Sequence, residues 1–195
     1  MVITPRILLN AYRQGIFPMA DADDEEIYWY DPNPRAILPL DDRFHVSRRL
    51  RRTIRQGNFE IRMDSKFRQV MRFCAETTPD RKRTWISEEI IDLYYSLHKS
   101  GYAHSVETWR DGKLIGGLYG VSVGGLFAGE SMFSRATDSS KVALVHLIEH
   151  LRSKGFVLLD IQFMTSHLKR FGAINIPRKE YHRRLANALT KQIKF

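Results

Sequence analysis

The chain has 195 residues, of which 43% are hydrophobic and 27% are charged. This length and composition allow one substantial core with a small accessory domain, and they exclude two full-sized domains and widespread disorder. Lysine and arginine number 31 against 22 acidic residues, a formal charge of +9 that favours polyanionic partners such as nucleic acid. A merely soluble basic protein fits the charge equally well. The single cysteine, Cys74, excludes an intramolecular disulfide and a multi-thiolate zinc site.

The sequence contains no export or membrane-spanning signal. No charged start is followed by an apolar run and a cleavage site, and no apolar run reaches the roughly 20 residues that span a bilayer. We therefore expect a cytoplasmic protein that has no membrane partner.

The first predicted element is a helix from Pro5 to Tyr12, with Thr4 as its N-cap. An acidic stretch at 21–26 is predicted to be a loop. Prolines then punctuate residues 31–35, where neither helix nor strand can continue. We place a domain boundary in this cluster, so that residues 1–34 form a small N-terminal domain and residues 35–195 form the main domain.

The next predicted helix begins after Ser47, whose hydroxyl can cap it. Its apolar residues recur every four positions on one side. Four arginines at i, i+3, i+4 and i+7 occupy the opposite side: Arg48, Arg51, Arg52 and Arg55. Four guanidinium groups therefore share one face of this helix, which we call the arginine helix.

The middle of the chain mixes strands and helices. Residues 58–63 predict a strand, and Asp64 is predicted to cap the helix that follows it. A polar, basic loop is expected up to Arg83. Ser87 and the two glutamates after it mark the start of another helix, which Gly101 ends.

Three strands are then predicted at 103–109, 114–121 and 126–130, joined by turns at 111–112 and 123–125. A helix from about Ser139 to Lys154, a buried strand at 156–162, a short helix, a loop at 172–177 and a strand-like basic tail complete the chain. This order favours an α+β fold in which helices flank a mixed sheet. It resembles the layout of GNAT acyltransferases.

Most familiar catalytic signatures are absent. Residues 129–133, Gly-Glu-Ser-Met-Phe, fail the nucleophile-elbow pattern at the last position, and the sequence has no HExxH, P-loop or GxGxxG motif. His146 and His150 have i, i+4 spacing, but they lack an adjacent glutamate and a third ligand, so they indicate ordinary helix residues. We predict no metal and no diffusible cofactor.

Polar side chains cluster at the ends of two apolar strands. Because side chains alternate along a strand, Asp160 and Gln162 should face one side, and Leu159 and Ile161 the other. Glu130 joins this cluster if its strand is a neighbour. A buried carboxylate is unfavourable unless it is paired, so a structural ion pair with an arginine such as Arg135 or Arg178 is the alternative to a functional site.

Seven segments resemble the ordered motifs of the leucyl/phenylalanyl-tRNA–protein transferase family, and together they cover essentially the whole chain. They are YRQGIFP at 12–18, WYDPNPR at 29–35, TWI at 84–86, GYAHSVE at 101–107, GGLYGV at 116–121, GESMFSR at 129–135 and LDIQ at 159–162.

The resemblance implies a GNAT-like catalytic domain behind a small N-terminal domain. It implies an enzyme that moves Leu or Phe, and Met less readily, from aminoacyl-tRNA onto proteins that begin with Lys or Arg, marking them for N-end-rule degradation. Such a protein is expected to act as a monomer without a cofactor.

The resemblance also implies roles for individual residues. Asp160 and Gln162 match the catalytic positions, and Glu130 matches a motif acid at the acceptor site. The arginine helix matches the tRNA-binding helix. The donor pocket matches Trp85, Tyr94, Leu118, Phe127, Met132, Leu147, Leu151 and Leu159, with Ser153 nearby.

Two positions depart from the family pattern. Met19 stands where a tryptophan follows Phe-Pro in the family. The resemblance therefore implies that a thioether, rather than a ring face, would meet the terminal adenosine. Ile161 replaces a cysteine between the catalytic pair, and we expect this change to be neutral.

Two other functions compete with the transferase. A coenzyme A-dependent N-acetyltransferase needs a glycine-rich phosphate loop before the helix at Ser139, yet residues 134–141 contain no glycine. A non-catalytic RNA-binding protein could use the arginine helix alone, and its salt dependence would be equally steep.

Overall fold

The structure, a computed structural model, describes residues 3–20, 27–77 and 84–195. The helices within these ranges are α1 Pro5–Arg13, α2 Arg48–Arg55, α3 Phe67–Ala75, α4 Glu88–Lys99, α5 Ser139–Lys154, α6 Ser166–Lys169 and α7 Arg178–Leu189. The strands are β1 Phe17–Ala20, β2 Ile27–Tyr30, β3 Arg35–Ile37, β4 Glu60–Met63, β5 Ala103–Arg110, β6 Lys113–Val123, β7 Leu126–Ser134, β8 Leu158–Gln162 and β9 Ile174–Ile176.

The strands form two sheets. β1 and β2 pair with each other, and the others form a seven-stranded sheet in the order β4-β5-β6-β7-β8-β3-β9. The β7–β8 pair is parallel, and the other neighbouring strands are antiparallel. The predicted α+β fold, a mixed sheet flanked by helices, is confirmed.

The core lies on both faces of the large sheet. Tyr119 and Ala128 face a cluster built from α1, α3 and α4. Leu118 and Phe127, their neighbours along the strands, face a second cluster built from α2 and α5. Since successive strand residues point to opposite faces, the two helical layers lie on opposite sides of the sheet.

The predicted hairpin at 103–121 is confirmed. The backbone angles of its two turn residues explain why the chain reverses at 111–112. Asp111 and Gly112 have φ values of 50° and 70°, the left-handed pair that a two-residue hairpin turn requires. At the next turn, a Cβ on Gly124 would lie 2.7 Å from the carbonyl oxygen of Ala188. Only glycine fits there.

Three predicted N-caps are confirmed, and one is wrong. Thr4, Ser47 and Ser87 each accept a hydrogen bond from the backbone of the third following residue. Asp64 does not cap α3, because its carboxylate accepts from the backbone N of Ser105 at 2.8 Å and pairs with His104 on β5.

The structure corrects the end of the chain. The predicted strand-like tail is the helix α7, whose buried Tyr181, Leu185 and Ala188 recur at helical spacing among charged residues. The predicted loop at 172–177 contains β9. Strands β1, β2 and β3 are only three or four residues long, too short for a periodic pattern. The predicted loops at 21–26 and 78–83 lie outside the described residues.

Residues 3–20, 27–77 and 84–195 hold neither a candidate membrane span nor a candidate metal cluster. None of the helices there has both the length and the apolar character that crossing a membrane requires. In the same ranges, no three His, Cys, Asp or Glu side chains are grouped closely enough to hold a metal ion.

Candidate functional site

A fork between β7 and β8 brings the predicted polar residues together. The two parallel strands pair from Leu126–Leu158 to Ala128–Asp160, after which β7 runs on to Ser134 away from β8. The two strands are neighbours, which meets the condition under which Glu130 joins the cluster. Glu130 and Gln162 lie just past the last pair, so their side chains face each other across the opening of the fork.

Asp160 is fully buried and fully occupied. Its Oδ1 accepts from Arg35 Nε and from the backbone N of Gln162, both at 2.9 Å. Its Oδ2 accepts from Arg35 Nη2 at 2.6 Å and from the hydroxyl of Tyr181 at 2.9 Å. A carboxylate has about four acceptor positions, so this one has none to spare.

Arg35 is the partner that the buried carboxylate requires. Its side chain is 1% exposed, and its guanidinium lies between the rings of Phe17 and Tyr181, 4.6 and 4.3 Å from their centroids. Its Nη1 donates to the carbonyl of Gly15. Burial acts to lower the pKa of Arg35, but the hydrogen bonds and charge of Asp160 outweigh it and raise that pKa.

The partner of Asp160 is an arginine, as the ion-pair alternative requires, but it is neither of the two arginines named as examples. Arg135 pairs with Glu76, and Arg178 pairs with Asp31. The sequence argument required a cation beside a buried acid but could not choose it, because Arg35 lies 125 positions from Asp160 in the chain.

Gln162 ends β8 in an unusual backbone conformation. Its φ is 64°, a left-handed value that costs a non-glycine residue on the order of 1 kcal/mol. The turn aims the side chain at β7, where Nε2 donates to Glu130 Oε1 at 3.0 Å. The backbone N is held by Asp160, so the position of the amide depends on that carboxylate.

Glu130 is placed by a β-bulge. Tyr119 pairs with Ser131 while the next residue, Gly120, pairs with Gly129, which leaves Glu130 as the extra residue. The bulge turns the partly buried carboxyl toward Tyr12 and Tyr94. Burial, the leading effect, raises the pKa of Glu130 to about 7, although the hydrogen bond from Tyr12 acts in the opposite direction.

Two buried tyrosines join Glu130 to the helices above the sheet. Tyr12 on α1 donates to Oε1 at 2.7 Å, and Tyr94 on α4 lies 3.3 Å from Oε2. The two hydroxyl oxygens are 2.6 Å apart. Burial and the charge of Glu130 raise the pKa of both phenols well above the ordinary value, so both stay protonated.

The predicted donor-pocket residues divide between the two faces of the sheet. Trp85, Tyr94 and Met19 lie in or against the cluster under α1 and α4. Ser153 is exposed, and its hydroxyl donates to the carbonyl of His150 in its own helix. The remaining six pack together on the face covered by α5: Leu118, Phe127, Met132, Leu147, Leu151 and Leu159.

The arginine helix has the predicted polarity. Its buried Leu50 packs into the same cluster as α5, and its four predicted arginines are exposed. Among the described residues, no carboxylate forms an ion pair with any of the four. A groove of about 470 Å³ runs between this helix and α5, with Arg51, Arg55 and Arg152 among its lining residues. The face therefore presents unneutralised positive charge.

Sequence reasoning missed three residues of the site: Tyr12, Arg35 and Tyr181. Tyr12 and Arg35 stand inside segments that were singled out as motifs, but nothing local assigned them a partner. Tyr181 lies in the tail that was predicted as a strand. The helical spacing of Tyr181, Leu185 and Ala188 was the signal that could have identified this helix.

The comparisons with known proteins cover both ends of the chain. A sequence model described as leucyl/phenylalanyl-tRNA protein transferase matches residues 37–186, and one described as the N-terminal domain of that protein matches residues 1–33. A leucyl/phenylalanyl-tRNA–protein transferase from Herpetosiphon aurantiacus is 59% identical over 96% of this chain and 95% of its own. One from Gloeobacter violaceus is 55% identical over 100% and 98%.

Solved structures match at much lower identity. A candidate acetyltransferase of the GNAT family from Desulfovibrio desulfuricans aligns with a TM-score of 0.36 and 17% identity, over 52% of this chain and 70% of that chain. L-PGS from Bacillus licheniformis aligns with a TM-score of 0.47 and 11% identity, over 82% of this chain and 66% of that chain.

Proposed function

Because the chain belongs to the leucyl/phenylalanyl-tRNA protein transferase family, we propose that it moves leucine or phenylalanine, and methionine less readily, from tRNA to protein N-termini. The acceptors begin with arginine or lysine, and the product is marked for N-end-rule degradation. The observation that carries the proposal is the fork, where Gln162 and Glu130 meet at 3.0 Å beside the anchored Asp160.

The chemistry suits a site without a nucleophile. An aminoacyl ester is already activated, so a protein amine can attack it directly. An α-amino group has a pKa of about 7.7–8.0 and loses its proton readily near neutrality. Gln162 holds this amine through its side-chain carbonyl oxygen, while Asp160 fixes the backbone of Gln162. Asp160 has no acceptor position left for the amine's proton, because four donors occupy its oxygens.

We assign the donor side chain to the apolar residues on the α5 face. Leu118, Met132 and Leu147 belong to the six that pack there, and apolar walls suit flexible or flat side chains. Selectivity in such a pocket amounts to about 1–3 kcal/mol per methylene, so some exchange among Leu, Phe and Met is expected. We assign Met19, on the other face of the sheet, to the terminal adenosine, and Trp85 and Tyr94 on that same face stay in the proposed donor pocket.

The arginine helix is proposed to bind the phosphates of the donor tRNA. Arg48→Ala combined with Arg52→Ala should weaken tRNA binding and reduce the slope of log affinity against log salt by about 1 per arginine. Arg43→Ala combined with Arg62→Ala is the matched control, since Asp41 and Glu60 already neutralise these two arginines. Equal slopes in both double variants would place the RNA surface elsewhere.

The decisive experiment measures transfer of labelled leucine from Leu-tRNA to a synthetic peptide. A peptide that begins with arginine should be labelled, and the same peptide beginning with alanine should not. Binding of Leu-tRNA without transfer to either peptide would favour the non-catalytic RNA-binding alternative.

The coenzyme A alternative is opposed by the start of α5. A pyrophosphate would need free backbone N–H groups there. The buried Asp138 places a carboxylate at this end, where a second anion would be repelled, and it is paired with Arg49 at 3.0 Å and Lys141 at 2.6 Å. Tight binding of acetyl-CoA in calorimetry would restore this alternative.

We also propose that residues 1–34 and 35–195 are separate domains. We further propose that the protein acts as a monomer in the cytoplasm, the compartment in which aminoacyl-tRNA is made. Sedimentation should give the mass of a single chain, 22.8 kDa.

A further inference from the structure

Glu130 keeps an acceptor position open at the fork. Its Oε1 receives the hydroxyl of Tyr12 and the amide of Gln162. Within the described part of the chain, its Oε2 has only a long 3.3 Å contact, with Tyr94. A carboxylate can accept about four hydrogen bonds, so a further donor can approach Oε2.

The two carboxylates of the site therefore differ in what they can do. Asp160 is completely buried, and its oxygens are taken by Arg35, Tyr181 and the backbone of Gln162. Glu130 is partly exposed, and no cation touches it among the residues described. Of the two carboxylates, Glu130 alone is both accessible to a ligand and able to accept a further hydrogen bond or a proton.

We infer that Glu130 accepts the proton which the attacking amine loses, and that Tyr12 and Tyr94 tune its readiness to do so. This inference rests on the proposed function. The amine nitrogen bonds to the ester carbonyl carbon and gives one proton to Glu130. The bond from that carbon to the ribose oxygen breaks, and the glutamic acid then returns the proton to the ribose oxygen. The carboxylate is thereby regenerated.

The electrostatics around Glu130 fit this exchange. Burial raises the pKa of Glu130 most, and the negative charge of Asp160 raises it further. The hydrogen bond from Tyr12, the nearby hydroxyl of Tyr94 and the charge of Arg35 lower it, and the result is a pKa of about 7. A base works best when its pKa is close to the working pH. The carboxylate is the active form, so the transfer rate should rise as pH increases through 7.

Tyr94, Tyr12 and Glu130 form a chain of hydrogen bonds that ends at the carboxylate. Each hydroxyl has one proton, and the distances are satisfied if Tyr94 donates to Tyr12 and Tyr12 donates to Glu130. Hydrogen bonds in such a chain polarise one another. Removing the Tyr12 hydroxyl should therefore raise the pKa of Glu130, and removing the Tyr94 hydroxyl should raise it less.

The test is the dependence of kcat/KM for peptide on pH, between pH 6 and 8, in four variants. Glu130→Gln should lose about 10²- to 10⁴-fold in kcat at pH 8, and the rise of its rate with pH should follow only the attacking amine, whose pKa is about 7.7–8.0, without the contribution near pH 7. In Tyr12→Phe the limb near pH 7, the rise of kcat/KM with pH, should move to higher pH. Transfer at pH 6 should therefore fall more than transfer at pH 8. Tyr94→Phe should show a smaller movement. Tyr95→Phe is the control, because that ring lies over Arg68 instead.

Several outcomes would overturn the inference. One is a Glu130→Gln variant that keeps the wild-type limb, and another is a rise in peptide KM at unchanged kcat, which would make Glu130 a binding group only. Unmoved limbs in both tyrosine variants would also refute it. Failure of the proposed function is distinct, since the wild-type protein would then transfer no leucine at any pH.

Discussion

Replacing Arg35 by methionine should lower the free energy of unfolding by about 3–5 kcal/mol, because the substitution leaves Asp160 charged and buried without its partner. The side chain of Arg35 is 1% exposed and makes two bonds to that carboxylate, besides its packing between two aromatic rings. Since whole domains are stable by only about 5–15 kcal/mol, the variant should be near the threshold of folding. Urea denaturation followed by circular dichroism measures the change.

Two companion variants separate the ion pair from general damage. Asp160→Asn in the Arg35→Met background should recover part of the stability, because the uncompensated charge is gone. Arg43→Met should leave the unfolding midpoint unchanged, since Arg43 and Asp41 are both largely exposed to solvent. An Arg35→Met protein as stable as wild type would mean that Asp160 is not held as a charged group.

Replacing Gln162 by alanine should reduce kcat for leucyl transfer by about a hundredfold or more, because the amine loses the group that orients it toward the ester. Well-oriented reactions gain about 7–11 kcal/mol, and a displacement of about 1 Å can cost a hundredfold. Affinity for Leu-tRNA should hardly change, since the arginine helix is untouched. Single-turnover transfer at saturating peptide separates the two quantities.

The backbone at position 162 offers a sharper comparison. Gln162→Gly removes the same side chain but relieves the left-handed strain, so it should be more stable than Gln162→Ala by about 1 kcal/mol. Both variants should nevertheless be equally poor in transfer. The exposed Gln69→Ala is the control for removing an amide. Normal turnover in both Gln162 variants would remove Gln162 from the mechanism.

Local signals predicted much of the fold. The hairpin turn at Asp111 and Gly112 and the caps at Thr4, Ser47 and Ser87 depend on near neighbours, which a single sequence displays. The helix α7 was missed because charged residues obscured its apolar spacing. Strands β1, β2 and β3 were missed because they are too short to show alternation.

The candidate site was predictable only in outline. Alternation along β8 placed Asp160 opposite Leu159, and the parallel pairing brought Glu130 beside Gln162. The partners of these groups come from far away in the chain, and only the folded structure identifies Arg35 and Tyr12. No local sequence pattern predicts the bulge at Glu130, because the bulge depends on how β6 and β7 align.

The two aromatic rings around Arg35 constrain when the surroundings of this buried side chain can be completed during synthesis. One ring comes from Phe17, near the beginning of the sequence, and the other from Tyr181, near its end. A ribosome releases these segments many seconds apart, at about 5–20 residues per second. A growing polypeptide therefore lacks one of the two rings that cover Arg35, the partner of its buried carboxylate, until α7 emerges.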